Sequence, residues 1–359
     1  MINVSLPDSS KTAVLRDKLK VEIENQIPRE IGEEEVLVKV MAVGICGSDI
    51  HFYEHGRIGR KAVTYPFVLG HESAGVVVKV GKNVTSFKKG DRVAVEPGVS
   101  CMKCEYCKKG RYNICPNVQF LSAPPTNGSF TQYIVHPDHF LHSIPDDVSF
   151  EEAALVEPLS VGIQACKNAG VMPGDDILVT GLGPIGLMTI IAAKEFGAKK
   201  IIVSDIEPLR LVLAKKLGAT NFINPKEEQL TSKVLGITNG NGVDISFDTS
   251  GQPFVMNEVI QVIKRGGKVV PIGFPVTETV PLDITQMIMK EISLLTVYRF
   301  ANTYPLGIKM MASKKYDCSL LITDHFSLDE AELALEKART NKQTSIKIMV
   351  YPNELPANR

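Results

Sequence analysis

Residues 177–186 read Ile177-Leu178-Val179-Thr180-Gly181-Leu182-Gly183-Pro184-Ile185-Gly186. The first four form a short apolar run, as in a strand buried on both faces. The last six are G-x-G-x-x-G, and an apolar stretch of helical length, 187–196, follows. Strand, glycine turn and helix in that order are the context this motif needs. The first glycine permits the tight turn, the second a close backbone approach, and the third packs helix on strand. Free N–H groups and the dipole at the helix start then favour a pyrophosphate. Asp205 follows the next apolar run, Ile201-Ile202-Val203-Ser204, 19 residues after Gly186. An acidic residue there holds the adenosine ribose hydroxyls and repels a 2′-phosphate, so the expected cofactor is NAD rather than NADP. The alternative is that Asp205 only caps the helix beginning near Glu207. Arg210, one turn further, either stacks near the adenine or is a solvated helix charge.

The alternation extends on both sides of Asp205. Residues 207–217 read as a second helix, and Asp244-Ile245-Ser246-Phe247-Asp248 and Val269-Val270-Pro271-Ile272-Gly273 as further strands. Strand and helix at this spacing predict a doubly wound parallel sheet. Before about Glu151 the character differs. Glu35-Val36-Leu37-Val38-Lys39-Val40 alternates polar and apolar residues, as a half-buried strand does. Gly75-Val76-Val77-Val78-Lys79-Val80-Gly81 and Gly90-Asp91-Arg92-Val93-Ala94-Val95 are further strands with turn residues between them. The fold class is α/β: a β-rich, barrel-like domain over 1–160, the doubly wound domain over 161–298, and a return to the first over 299–359.

A length of 359 residues suits two domains. Forty Lys plus Arg balance forty Asp plus Glu, so nothing favours nucleic acid or an anionic membrane as partner. No apolar run approaches a membrane span, and residues 1–20 lack a secretory apolar core. A cytoplasmic location is expected.

Four of the seven cysteines crowd into Cys101-x2-Cys104-x2-Cys107-x7-Cys115, a lobe placed at 97–117. Four thiolates that close together enclose one tetrahedral zinc and leave no open position. Lys103, Lys108, Lys109 and Arg111 offset their charge. An iron–sulfur cluster, or free or disulfide-bonded thiols, are the alternatives. A second constellation is scattered: Cys46 in Gly44-Ile45-Cys46-Gly47-Ser48-Asp49, His71 and Glu72 in Gly70-His71-Glu72, and Glu157 in Glu157-Pro158. Cysteine, histidine and glutamate all ligate a zinc that keeps one position open. Equally, a lone cysteine in a turn is often a small packed hydrophobe, and Glu-Pro often opens a helix.

In this order, these motifs resemble those of the zinc-containing medium-chain dehydrogenases, over essentially the whole chain. The likeness is greatest to the polyol branch, the sorbitol (L-iditol) and xylitol dehydrogenases. It is carried by residues 51–60 (HFYEHGRIGR), 157–162 (EPLSVG) and 298–305 (YRFANTYP). The resemblance implies a GroES-like catalytic domain interrupted by a Rossmann NAD-binding domain, with a catalytic zinc in the cleft. It implies Cys46, His71 and Glu72 at that zinc, and Glu157 as ligand or holder of a zinc-bound water. Alcohol dehydrogenases of the family carry cysteine at that last position, so the carboxylate argues for the polyol branch. Four lobe cysteines, absent from animal members, imply a microbial-type enzyme with two zincs per chain. A homotetramer is implied as well.

The implied reaction oxidises a secondary alcohol of a polyol to the ketose, with hydride transfer to NAD. Ser48 and His51 are the expected route for the released proton. Phe120, Glu157, Arg299 and Phe300 are the expected substrate contacts. Rivals are an L-threonine, butanediol or simple alcohol dehydrogenase, and a non-enzymatic nucleotide-binding protein. The last predicts decay of Cys46, Ser48, His71 and Glu72, all of which are present.

Overall fold

The computed structural model describes residues 9–275, 277 and 279–355. The first eight and last four residues, inside the expected spans 1–160 and 299–359, lie outside the described residues, as does part of the stretch read for a secretory leader. The chain divides into two compact units. One takes the chain up to Glu157 and again from Tyr304; the other is Pro158–Thr303. The breaks thus follow residues 157 and 303, where sequence placed them after 160 and 298. The first break falls inside the helix Val156–Ala169, at Pro158 in its first turn.

In the second unit six strands run parallel in the order Asn221–Ile223, Lys200–Ser204, Asp176–Thr180, Val243–Asp248, Ile263–Pro271, Ser293–Leu294. The helix Pro184–Glu195 starts on Gly183 with proline at its first position, where the missing N–H costs nothing. Its residues from Gly186 to Ala193 are all buried. A helix apolar on every side is a core helix, and this one packs on the central strand. The strand Ile263–Pro271 begins well before the apolar stretch that revealed it, because Lys264, Arg265, Gly266 and Gly267 break the hydrophobic pattern.

In the first unit one seven-stranded sheet runs in the order Leu141–Ser143, Arg92–Val95, Glu72–Val80, Glu35–Gly44, Lys347–Tyr351, Ile322–Ser327, with Tyr133–Pro137 also on Glu35–Gly44. A smaller sheet joins Lys20–Gln26, Ser10–Asp17 and Phe67–Val68. Alternate residues of Glu35–Gly44, among them Val36, Val38 and Val40, meet Val14, Val77, Val93 and Phe130 in the core.

Sheet register places the site. Gly44 pairs with Glu72, and Met349 pairs with Gly44. Two residues beyond Gly44 comes Cys46, and immediately before Glu72 comes His71. Three distant pieces of chain therefore end at one edge of the sheet. Among the described residues, no helix is long and apolar enough to cross a membrane.

Candidate active site and cofactor turn

Cys46 caps the helix Gly47–His55. The Sγ of Cys46, a ring nitrogen of His71 and a carboxylate oxygen of Glu72 all lie within 4.8 Å of one another. Asp49 locks this group from behind. Its carboxylate accepts from the amides of Cys46 and Gly70 at 3.0 Å each and from the Ser122 hydroxyl at 2.6 Å. His71 Nδ1 stands 3.6 Å from the same carboxylate. Burial alone would raise the Asp49 carboxyl, but the His71 ring, Ser122 and the Cys46 amide outweigh it and hold it below the usual range. Burial alone would lower His71, yet Asp49 and Cys46 drive it well above the ordinary histidine value. Surroundings that would retain a proton so firmly also suit a cation. The donor set of thiol, imidazole and carboxylate fits zinc with one position left open.

Lys347 completes the group. It is 1% exposed, and its Nζ donates to both Glu72 oxygens at 2.6 and 2.8 Å and to the Ile45 carbonyl at 3.0 Å. Burial would lower its pKa, but Glu72, Cys46 and Glu157 raise it, so it stays charged. Gly44 is glycine for the same reason: a Cβ there would strike Glu72 Oε2 and crowd the Lys347 stem.

Glu157 is not among the three clustered donors. It is 4% exposed at the start of the helix Val156–Ala169 and lies in their field. Burial, followed by the opposing effects of His71 and Glu72, leaves its carboxyl raised to about 7. Ser48 and His51 lie on the helix Gly47–His55. The His51 ring lies 5.9 Å from that of His55, tilted by 39°, and partial burial together with His55 and Lys342 holds its imidazole below the ordinary value. The Phe120 ring lies 5.5 Å from His71. Arg299 and Phe300 belong to the second unit, where Arg299 sits over the Tyr298 ring with φ +56.

The four lobe sulfurs approach each other at 3.4 Å (Cys104–Cys107), 3.5 Å (Cys101–Cys115), 3.8 Å (Cys104–Cys115) and 4.0 Å (Cys101–Cys107). Tetrahedral Zn–S bonds demand sulfurs about 3.8 Å apart, whereas a disulfide needs about 2.05 Å. All seven cysteines are free thiols. The amides of Lys103 and Cys104 bring Cys101 down to about 6, as a thiolate ligand requires.

In the second unit Gly181 adopts φ +78, a backbone conformation glycine tolerates. A Cβ on Gly186 would collide with the Gly181 carbonyl, whereas a Cβ on Gly183 would meet nothing. The turn is therefore packed at Gly186 and open at Gly183, before Pro184 and Ile185 start the helix. That open cradle fits a dinucleotide phosphate. Asp205 Oδ2 accepts from the Leu182 amide at 2.6 Å, and Oδ1 from the Glu207 amide at 2.8 Å. It thus ties the glycine turn to the next strand and closes a tight turn onto Glu207, the residue that precedes the helix Pro208–Lys216; among the described residues no side chain caps that helix. Arg210 lies 3.6 Å from its carboxylate.

A model of the alcohol dehydrogenase GroES-like domain matches residues 32–146, and one of the zinc-binding dehydrogenase domain matches 184–313. Sorbitol dehydrogenase of Bacillus subtilis (strain 168) is 48% identical over 97% of this chain and 99% of its own length. Mouse sorbitol dehydrogenase is 40% identical over 93% of this chain and 94% of its own. This chain belongs to the polyol branch of the zinc-containing medium-chain dehydrogenases. An Escherichia coli oxidoreductase of unknown specificity shares the fold with a TM-score of 0.92 at 38% identity, covering 96% of this chain and 99% of that one.

Family membership brings zinc and a nicotinamide cofactor, and both donor sets and the glycine turn fit them. Two members of the site escaped sequence reasoning. Asp49 stood inside a quoted motif without a role, though an acid three residues after Cys46 is well spaced to fold back on it. Lys347 left a fainter signal, a single lysine heading the apolar strand Lys347–Tyr351.

Proposed function

We propose that this chain oxidises a secondary alcohol of a polyol of the sorbitol or xylitol type to the ketose, with NAD as hydride acceptor. The carbinol carbon gives its hydride to the nicotinamide, and the hydroxyl proton leaves to solvent. The observation that carries this reading is the gathering of Cys46, His71 and Glu72 within 4.8 Å of one another, with the buried Glu157 carboxyl in their field. A zinc held by those three would supply a Lewis acid that lowers the pKa of a neighbouring hydroxyl. Glu157 holds that hydroxyl or a water by hydrogen bond. Ser48 takes the released proton, and His51, whose lowered pKa keeps it neutral at pH 7, passes it outward. Asp49 and Lys347 hold His71 and Glu72 in place. Phe120 forms an apolar wall; Arg299 and Phe300 are assigned to the remaining polyol chain on the family resemblance alone.

The glycine turn takes the pyrophosphate, and Asp205, with Arg210 beside it, takes the adenosine ribose. Exchanging Asp205 for alanine weakens the preference for NAD over NADP. The lobe takes a second, closed zinc. A homotetramer is supported by exposed Ile284, Ile288, Met289 and Leu294 on the second unit, and equilibrium sedimentation tests it. A cytoplasmic location fits seven cysteines of which none is paired in a disulfide.

Initial rates with NAD across four- to six-carbon polyols, threonine, butanediol and ethanol test the substrate class. Sorbitol or xylitol is expected to give the highest kcat/KM. Preference for threonine or butanediol would refute it.

A further inference from the structure

The cysteine lobe meets the Cys46–His71–Glu72 pocket at both of its roots. At the exit, the strand Gln119–Phe120 pairs with Gly98–Val99 and sets the Phe120 ring against His71. Two residues on, Ser122 takes φ +57 and donates its hydroxyl to Asp49, the carboxylate that faces His71. A serine at positive φ is uncommon and needs a local reason. The 2.6 Å bond to a fully buried carboxylate supplies one.

At the entrance, Glu96 is 2% exposed, yet it carries a carboxylate. That carboxylate accepts from Tyr112 at 2.7 Å and from His142 at 2.8 Å. Tyr112 belongs to the lobe, three residues before Cys115, and its carbonyl accepts from the Cys115 amide at 3.1 Å. The His142 ring stacks on Tyr304 at 4.9 Å. The Tyr304 hydroxyl donates to the carbonyl of Val95, one peptide before Glu96, at 2.8 Å. Tyr304 in turn lies in the field of Glu157 and Glu72.

We propose that Tyr112 and Ser122 are positioning residues that couple the four-cysteine lobe to the Cys46–His71–Glu72 pocket. The proposal rests on reading that pocket as the catalytic centre. Closing four sulfurs on one cation fixes the short turn that bears Tyr112, and with it the Glu96 carboxylate and the Val95 peptide. The paired stem at Gly98 and Phe120 fixes Ser122, and with it Asp49 and His71. Buried polar contacts of this kind transmit displacement, because losing one partner strands the other. Linkage makes the coupling reciprocal: a pocket that holds its cation more tightly also tightens the lobe.

The test measures affinity of the pocket for cobalt by competition with a chromophoric chelator, on full-length protein with the lobe metal retained. Ser122→Ala and Tyr112→Phe are each expected to weaken it about tenfold, as the loss of outer hydrogen bonds around metal sites does. The visible cobalt band should shift, while circular dichroism and metal content of the lobe stay unchanged. In a Cys104→Ser background the same two substitutions should cost far less, because the lobe no longer holds them. If Cys104→Ser does not fold, the comparison is made on the single variants before and after the lobe metal is removed by chelation, and a cost that is the same in both states would overturn the coupling. Unchanged cobalt affinity and an unchanged band in both would overturn the coupling. A Cys46→Ser protein that keeps the wild-type metal stoichiometry would overturn the pocket itself, a result distinct from intact pocket binding without coupling.

Discussion

The lobe and the pocket hold similar donors but are built in opposite ways. The lobe draws four sulfurs from fifteen consecutive residues, between Cys101 and Cys115, on a helix of one turn and a short 3-10 segment. Little beyond that segment is needed to bring them together. The pocket draws Cys46, His71 and Glu72 from separate strands' ends and surrounds them with Asp49, Lys347 and Glu157. A closed site only has to bind, so local spacing suffices. A site with an open position must hold its ligands in place while substrate comes and goes, and that takes a sheet edge and buried counter-charges.

Breaking the pocket's counter-charge should have the largest effect. In metal-free protein Lys347→Met leaves Glu72 buried and unpaired, and a loss of about 3–5 kcal/mol in denaturant unfolding is expected. Adding Glu72→Gln should recover most of it; if the double variant is no more stable than the single, the pair is not what the lysine serves. Next is His136, whose Nε2 donates to the Glu96 carbonyl at the lobe's root. Burial lowers it from 6.5 to about 4. Between those values the unfolded chain takes a proton that the folded chain refuses. Stability is therefore full above about pH 6.5, falls as pH drops, and has lost about 3 kcal/mol once pH passes 4. His136→Gln should flatten unfolding curves over that window. Glu157→Gln should leave NAD binding intact and cut turnover about a hundredfold; near-normal turnover would remove Glu157 from the chemistry. At the other extreme, Lys109→Ala deletes an exposed pair with Glu105 in the lobe. Its effect on unfolding should stay within about 0.5 kcal/mol of zero.

The same contrast decides what sequence could reveal. The lobe and the glycine turn were legible because their chemistry is local: four thiols at fixed gaps, three glycines between a strand and a helix. Cys46, His71 and Glu72 were visible only as scattered residue types, made a set by resemblance to a family. What joins them is the pairing of Gly44 with Glu72 and of Met349 with Gly44, and register between distant strands leaves no local mark. Lys347 was missed for that reason, since it lies 302 residues from Ile45 in sequence and one hydrogen bond from its carbonyl in space. Asp205 shows a different limit. Sequence offers cofactor acid or helix cap; in the structure Glu207, not Asp205, stands at the cap, and the Asp205 carboxylate binds the amides of Leu182 in the glycine turn and of Glu207. The strand Ile263–Pro271 was shortened in sequence because charged and glycine residues fill its first half.

The most direct test of the central claim is zinc content per subunit, measured with NADH formation from sorbitol, in wild-type protein and Cys46→Ser. Wild-type protein should hold two zincs and turn over. The variant should hold one, in the lobe, and bind NADH without oxidising the polyol. A variant that keeps both zincs, or that oxidises sorbitol at the wild-type rate, would contradict the assignment of the chemistry to this pocket.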